Sequence, residues 1–294
     1  MSLRQQAKIL GISPTYLSLM INGKRKWQPE IKARYEQLVN SLPKSVCKKN
    51  KTVEAHFIAK EEMVFAGKEI IKQGFDDCFI ITLKNDGTHF KQGDTIASIG
   101  GSSDIILKKE RVILNLLQRL SGIASKTNRL VKKLEKHKIQ LLDTRKTTPG
   151  LREFEKFAVS VGGGTNHRFS LKDAVMIKDN HLIGNPNLKD AVEKAASKNP
   201  NKDIEVEVDT KEQLNEALET RATSILLDNF SPETLPETIK HIRSHKNGKN
   251  IYIELSGGIN SDNIDDYCIK GVNGISMGAL THNIKSKDIS LDLK

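Results

Sequence analysis

From Ile139 to the C-terminus, short apolar runs alternate with amphipathic ones at regular spacing. Ile139–Leu142, Ala174–Ile177, Ile204–Val208, Ile225–Leu227, Ile251–Leu255 and Gly274–Ser276 read as strands, and Leu188–Ser197, Lys211–Glu219, Pro232–Ser244 and Asn263–Ile269 read as helices. Strands joined by right-handed helical crossovers form a parallel sheet, so the pattern predicts an α/β fold, either a barrel or an open doubly wound sheet. The barrel is favoured because Asp143, Lys178, Glu207, Asp228, Ser256 and Met277 each fall just after a strand. That is the face on which barrels carry their chemistry. Upstream, Glu110–Lys136 reads as one long amphipathic helix with Val112, Leu116, Leu120, Ile123, Ala124, Thr127, Leu130, Val131 and Leu134 on its stripe. Before it, strands over Thr52–Ala59, Cys78–Leu83 and Gly93–Gly100 with a helix over Glu61–Gln73 predict a small α+β domain. The domain reading is therefore 53–109 for the small domain and 110–294 for the α/β barrel, whose closing elements are free to pair with the small domain.

Residues 1–40 carry a different pattern. Gln5–Leu10 reads as a short helix, Gly11-Ile12-Ser13 as a turn with a serine cap, and Pro14 as the first position of a second helix that Asn22-Gly23 stops. Ala7, Leu10, Ile12, Leu17 and Ile21 are the expected contacts between the two helices, with Ser13, Thr15, Tyr16 and Ser18 facing outward. Trp27, Ile31, Tyr35 and Leu38 would close this core from a last helix. The layout resembles the helix-turn-helix of the phage-repressor Cro/C1 class, in which Lys24, Arg25 and Lys26 fall where phosphates are touched. Residues 41–52 are polar, basic and aperiodic, and read as a linker.

Charge separates the two parts further. Of the 294 residues, 47 are Lys or Arg and 36 are Asp or Glu, but residues 1–52 hold eleven basic and two acidic groups, so nearly all of the net +11 belongs to that segment. A nucleic-acid partner is thus an expectation for residues 1–40 alone. No run approaches 18 uncharged apolar residues, and no apolar signal stretch opens the chain, so neither a membrane span nor export is expected, and the predicted location is cytoplasmic. Cys47, Cys78 and Cys268 lack metal-binding spacing and read as reduced thiols.

Candidate chemistry concentrates between Asp143 and His181. Arg145, Lys146, His167, Arg168 and Lys178, with the glycines Gly162–Gly164, fall on successive strand ends, and such a cation cluster repels itself until a polyanion neutralises it. Ser256-Gly257-Gly258 and Ser276-Met277-Gly278 are small-residue turns after the last two strands, suited to cradling a phosphate with backbone amides. Glu207 and Asp228, carboxylates on adjacent strands, are placed to hold Mg²⁺ or to face a developing positive charge, and a salt bridge to Lys178 or Arg145 is the alternative. Arg111 opens the long helix and reads as a solvated arginine. His56 and His89 read as surface or core residues. A sugar phosphate with a second polyanionic group, joined by a small carboxylate-bearing partner, satisfies this whole set.

Seven ordered motifs then identify the region from about Val53 onward. Glu110-Arg111-Val-Ile-Leu-Asn115 with Leu120-Ser-Gly-Ile-Ala124, Asp143-Thr-Arg-Lys-Thr-Thr-Pro-Gly150, Gly162-Gly-Gly-Thr-Asn-His-Arg168, Met176-Ile-Lys-Asp-Asn-His181, Leu226-Leu-Asp-Asn229, Ser256-Gly-Gly-Ile259 and Ile275-Ser-Met-Gly278 closely resemble the quinolinate phosphoribosyltransferases. The resemblance implies a type II phosphoribosyltransferase barrel that makes nicotinate mononucleotide, pyrophosphate and CO₂ from quinolinate and phosphoribosyl pyrophosphate with Mg²⁺, on the de novo route to NAD. It implies that Thr144, Arg145, Lys146, His167, Arg168 and Lys178 bind quinolinate and pyrophosphate, with Lys146, Glu207 and Asp228 as the catalytic group. Glu207 and Asp228 would address ribose and metal, and Ser256–Gly258 and Ser276–Gly278 the 5′-phosphate. By the same resemblance Arg111 reaches the quinolinate site of a neighbouring subunit in a homodimer.

Two departures from the family pattern are visible. The family's usual N-terminal helical motif is replaced by the helix-turn-helix-like segment. Leu255 stands where a small residue is usual, which predicts a crowded phosphate loop. A DNA-binding regulator that senses a pyridine ligand through a catalytically weak barrel is the alternative to the enzyme.

Overall fold

The computed structural model describes residues 7, 8, 10, 12–21, 26, 28–40, 51–168, 175–177, 187–200 and 202–294. The chain divides into two compact units, Met1–Lys51 and Thr52–Lys294.

In the first unit, helices α1 (Pro14–Ile21) and α2 (Pro29–Asn40) follow a helical turn at residues 7–10. Ser13 caps α1, its Oγ accepting the Tyr16 amide at 3.1 Å. Ala7, Leu10, Leu17 and Met20 form a small core with Ile12, Tyr16 and Ile31 against it. Tyr16 therefore faces inward where outward was expected, and Ile21 is 41% exposed where a core contact was expected. Lys26 is exposed. Lys24, Arg25, Trp27 and the side chains of Tyr35 and Leu38 lie outside the described residues.

The second unit is built on two sheets and one helix. β1 (Thr52–Ala59), β3 (Phe79–Leu83), β5 (Thr95–Ser102) and β12 (Ile289–Leu293) form an antiparallel sheet in the order β12-β1-β5-β3, and β2 (Met63–Val64) pairs with β4 (His89–Phe90). The end of the chain thus returns to the first sheet, Phe57 opposite Leu291. His56 hydrogen-bonds Ser98 Oγ at 2.8 Å across this sheet. The expected helix over Glu61–Gln73 is only its second half, α3 (Lys68–Gly74). Residues 63–66 stay extended because Ser125 Oγ accepts the Val64 amide at 2.8 Å and Ser121 Oγ the Ala66 amide at 3.2 Å. Asp86 Oδ1 then takes the amides of Gly67 and Lys68 and starts the helix there.

Helix α4 (Ser103–Glu135) has 33 residues, about 50 Å, and joins both cores. It starts at Ser103 instead of Glu110, because Ile106 buries against the antiparallel sheet. Its first half packs there through Ile113, Leu114 and Leu117, leaving Val112 63% exposed, so the buried stripe lies one residue away from the expected one. Its second half carries Leu120, Ile123, Leu130 and Leu134 into the other core. The small residues between serve close approach: a Cβ on Gly122 would meet the Lys285 carbonyl at 2.5 Å.

The other sheet has six parallel strands, β6 (Gln140–Leu142), β7 (Val175–Ile177), β8 (Ile204–Val208), β9 (Ser224–Asp228), β10 (Tyr252–Ser256) and β11 (Gly274–Ser276), in the order β6-β11-β10-β9-β8-β7. A parallel bridge from Leu142 to Thr165 extends it beyond β6. Arg168, three residues past that edge, contacts Met176 Sδ on β7 at the opposite edge, at 3.0 Å. The sheet therefore curls until its edges face each other, as a barrel does. Its strands alternate with inverted polarity. Val206, Ile225, Leu227, Ile253, Leu255 and Ile275 pack outward on the helices, while Glu205, Ser224, Tyr252 and Glu254 occupy the intervening, inward positions.

The surrounding helices are α5 (Arg152–Val161), α6 (Leu188–Lys198), α7 (Lys211–Leu218), α8 (Leu235–Ser244) and α9 (Ala279–His282), with a 3₁₀ turn at Ile264–Tyr267 where a longer helix was expected. α6 and α7 begin with side-chain caps, Asn187 and the Thr210/Gln213 capping box. Helix α5 went unpredicted, and its polarity explains why: Glu155 and Lys156 are buried while Phe154 and Phe157 are each 42% exposed.

Candidate active site

A cavity of about 190 Å³ opens at the C-terminal ends of the parallel strands. The residues after β6 and beyond Thr165 give it cations, Arg145, Lys146, His167 and Arg168, beside Thr144 and Asp143. Glu207 at the end of β8, Asp228 ending β9, Ser256 ending β10 and Ser276 ending β11 line the rest, with Glu254 at the floor. Ten of the lining residues carry polar side chains from the strand ends or loops, so the parallel register is what assembles them.

The loop that carries His167 and Arg168 is held by a buried ion pair. Asp143 and Lys156 are fully buried and ion-paired, and Lys156 Nζ also donates to the His167 carbonyl at 3.1 Å. Asp143 Oδ1 accepts the His167 amide at 2.8 Å, so this pair fixes the backbone from which His167 and Arg168 project. Burial pushes the Asp143 carboxyl up, with Lys156 pulling it back.

The His167 ring points into the barrel interior, Nε2 lying 3.2 Å from Glu205 and 3.3 Å from Glu254. Burial by itself lowers the imidazole, but the two carboxylates outweigh it and raise the pKa to about 10. Glu254 is raised by its own burial and pulled back by the His167 ring. On the other side of the ring Nδ1 accepts the Arg168 amide at 2.8 Å, so both ring nitrogens are engaged within the protein. Burial, and then the neighbouring Arg145, push the Arg168 guanidinium below its usual range against the pull of Glu205, Glu207 and Glu254. Arg145 and Arg168 are therefore close like charges, the arrangement that favours an anion between them.

The Ser256–Gly258 turn is knitted to the acidic strand end. Asn229, at φ +57°, donates its amide to the Ser256 carbonyl at 3.0 Å and its side chain to Asp228 Oδ2 at 2.8 Å. Gly257, at φ +92°, packs so tightly on Asn229 that a Cβ would sit 2.3 Å from Asn229 Oδ1. The Lys146 side chain lies across Gly278, where a Cβ would come within 3.0 Å of Lys146 Cδ.

The structure departs from the sequence reading at Gly162–Gly164 and at Leu255, and it places the other expected residues as follows. The Met277 side chain is buried in the core and leaves only its backbone for a phosphate. Gly162–Gly164 do not line the cavity; they end α5 and let it approach α4, a Cβ on Gly162 meeting the Ala124 carbonyl at 2.6 Å. Leu255 packs outward in the core, 1% exposed, so it does not crowd the Ser256 turn. Arg111 lies on α4, its side chain 70% exposed and outside the cavity of its own chain. Lys178 lies outside the described residues. The sequence reading missed Glu205, Glu254, Lys156 and Glu155. Acids spaced two apart inside the apolar runs Ile204–Val208 and Tyr252–Ser256 were the available signal for the first two.

The comparisons with known proteins decide which family carries this arrangement. "Quinolinate phosphoribosyl transferase, N-terminal domain" matches residues 35–121, and "Quinolinate phosphoribosyl transferase, C-terminal domain" matches residues 123–292. The chain belongs to this family. Among its relatives, a "Probable nicotinate-nucleotide pyrophosphorylase [carboxylating]" of Bacillus subtilis is 45% identical over 245 residues, 82% of this chain and 83% of that protein. The protein of the same name from Archaeoglobus fulgidus is 39% identical over 82% of this chain and 94% of its own length. The solved nicotinate-nucleotide pyrophosphorylase of Francisella tularensis superposes with a TM-score of 0.78 at 36% identity, over 88% of this chain and 94% of the other.

Proposed function

We propose that the chain transfers phosphoribosyl from phosphoribosyl pyrophosphate to quinolinate and decarboxylates the product, giving nicotinate mononucleotide, pyrophosphate and CO₂ in NAD biosynthesis. The observation that carries this reading is the cavity itself: four cations, Arg145, Lys146, His167 and Arg168, face Glu207 and Asp228 across a cleft at the strand ends. A dicarboxylate and a pyrophosphate require the cations, and a ribose carbon that becomes positive requires the carboxylates.

In this reading Arg145 and Arg168 grip the quinolinate carboxylates by paired N–H donors, with the His167 ring, anchored on Glu205 and Glu254, beside them. Lys146, at the junction of both loops, meets the pyrophosphate. The turns Ser256–Gly258 and Ser276–Gly278 hold the 5′-phosphate at the far end of the donor. The ring nitrogen attacks the anomeric carbon as the bond to pyrophosphate breaks, and the bonding pair leaves with pyrophosphate. Glu207 and Asp228 face the ribose while it is oxocarbenium-like. The ring is then cationic. The bond from C2 to its carboxylate breaks, the electron pair left on C2 is stabilised by the adjacent N⁺, CO₂ departs and C2 takes a proton. No side chain is needed as a covalent nucleophile, so alignment and fixed charge supply the rate.

Glu207 and Asp228 also fit Mg²⁺, which is held through one or two carboxylates together with substrate phosphates. When bound, the ion neutralises charge on the leaving pyrophosphate. Arg111, exposed and outside its own cavity, is assigned to the quinolinate site of a second copy, making a homodimer the active assembly. Among the described residues no helix is long and apolar enough to cross a membrane.

Lys146→Ala tests the reading. We expect turnover to fall by about a hundredfold or more with an unchanged circular dichroism spectrum. A kcat/KM equal to that of the parent enzyme would sink the assignment.

A further inference from the structure

The loop that carries Arg145 and Lys146 is fastened to the opposite side of the site. Thr281 Oγ1 donates to the Lys146 carbonyl at 2.7 Å, with the Gly278 carbonyl also within reach at 3.1 Å. Thr281 is fully buried and belongs to α9, the short helix that follows the Ser276–Gly278 turn. Its own carbonyl accepts from Arg119 of α4 at 3.1 Å. The same Arg119 guanidinium donates to Thr148 Oγ1 at 2.7 Å and pairs with the fully buried Glu155 at 2.6 Å. Glu155 Oε2 in turn accepts the Thr148 amide at 3.0 Å. One buried network therefore binds both ends of the segment Lys146–Thr148 and the root of the phosphate turn.

We propose that Thr281, supported by Arg119 and Glu155, is a positioning residue that sets Lys146 against the Ser276–Gly278 turn, coupling the pyrophosphate and 5′-phosphate ends of the donor site. This inference rests on the phosphoribosyl-transfer reading. Two independent features point the same way. The Lys146 stem already lies over Gly278 with no room for a side chain there, so its backbone must be held in register with that turn. Lys126 Nζ secures α9 from its other side, donating to the carbonyls of Ala279 and Asn283 at 2.7 Å each. The helix bearing Thr281 is thus a fixed point to which the Lys146 loop is referenced. Thr281, Arg119 and Glu155 do not line the cavity, so they act through Lys146 and not on substrate.

The test compares Thr281→Val, which keeps shape and removes the donor, with Thr281→Ser, which keeps the donor, in the full-length protein. Pyrophosphate release with quinolinate gives kcat and both KM values, and calorimetry with phosphoribosyl pyrophosphate and Mg²⁺ gives donor affinity in the parent and in a Lys146→Ala background. A displacement of Lys146 by about 1 Å is expected to lower kcat by roughly 10- to 100-fold in Thr281→Val, with a smaller change in quinolinate KM and recovery in Thr281→Ser. The loss of donor affinity should vanish once Lys146 is alanine. Arg119→Lys, which keeps the charge but loses the forked contacts, should give an intermediate loss and stands in if Thr281→Val fails to fold. A parent-like kcat in folded Thr281→Val, or an equal loss of affinity with and without the Lys146 side chain, overturns the proposal. A parent enzyme that binds the donor but releases no pyrophosphate with quinolinate instead overturns the activity reading, and the calorimetric comparison still decides the coupling.

Discussion

Replacing Lys156 by methionine should be among the most damaging changes outside the cavity. Lys156 and Asp143 are both fully buried and ion-paired, and burial leaves little solvent to take over either charge. Methionine matches the aliphatic stem but leaves Asp143 without its paired ammonium, with hydrogen bonds such as that from the His167 amide in its place. Breaking a buried pair from one side costs about 3–5 kcal/mol. For a unit of this size each kcal/mol moves the unfolding midpoint by about 2–4 °C, so the midpoint should fall by roughly 6–20 °C. The loss should depend on pH in a defined direction. Burial already raises the Asp143 carboxyl, and without Lys156 it rises further above the unfolded value. A carboxyl raised on folding destabilises above its unfolded pKa of about 3.9, so the deficit should be full at pH 7–8 and shrink as pH falls toward 4. Asp143→Asn in the same chain should recover much of it, since the amide oxygen still accepts from His167. Thermal denaturation of the two singles and the double, at pH 5 and pH 8, measures all of this. A shift below about 2 °C, or one independent of pH, refutes the reasoning.

Other expectations follow from the same geometry. His167 is held charged by Glu205 and Glu254 with a pKa of about 10, so its contribution to stability is complete below about pH 6.5 and is lost as pH rises toward 10. The pH profile of kcat/KM should accordingly show no ionisation near 6.5, and Glu254→Gln should move the basic limb of that profile downward. Gly257→Ala forces a Cβ against Asn229 at φ +92°, costing about 1–3 kcal/mol and raising KM for phosphoribosyl pyrophosphate more than for quinolinate. Dialysis against a chelator should abolish turnover, Mg²⁺ should restore it, and Asp228→Asn should raise the Mg²⁺ concentration required.

The order of strands and helices was legible because parallel strands and their crossovers leave a repeated signature, and the functional strand ends followed from it. Motif residues such as Arg145, Lys146 and Arg168 came with them, since charges placed just after an apolar run have one end of a barrel to go to. What stayed hidden were elements whose polarity is inverted. Helix α5 buries Glu155 and Lys156 while exposing Phe154 and Phe157, so its apolar positions do not mark its buried side. Glu205 and Glu254 lie inside a barrel lined by polar groups, where the apolar half of each strand faces out to helices. The start of α4 and the shortness of α3 depend on side chains distant in sequence, Ser121, Ser125 and Asp86, which local pattern does not contain. Gly162–Gly164 misled for a related reason: close helix packing and phosphate cradling select the same residue.

The most direct measurement is product formation by the full-length protein supplied with phosphoribosyl pyrophosphate, Mg²⁺ and quinolinate labelled in its 2-carboxylate. The account predicts pyrophosphate, labelled CO₂ and nicotinate mononucleotide in equal amounts, with nicotinate a poor substitute because it lacks the second carboxylate for the Arg145, His167 and Arg168 cluster. Absence of quinolinate-dependent pyrophosphate release, or equal turnover with nicotinate, would contradict it.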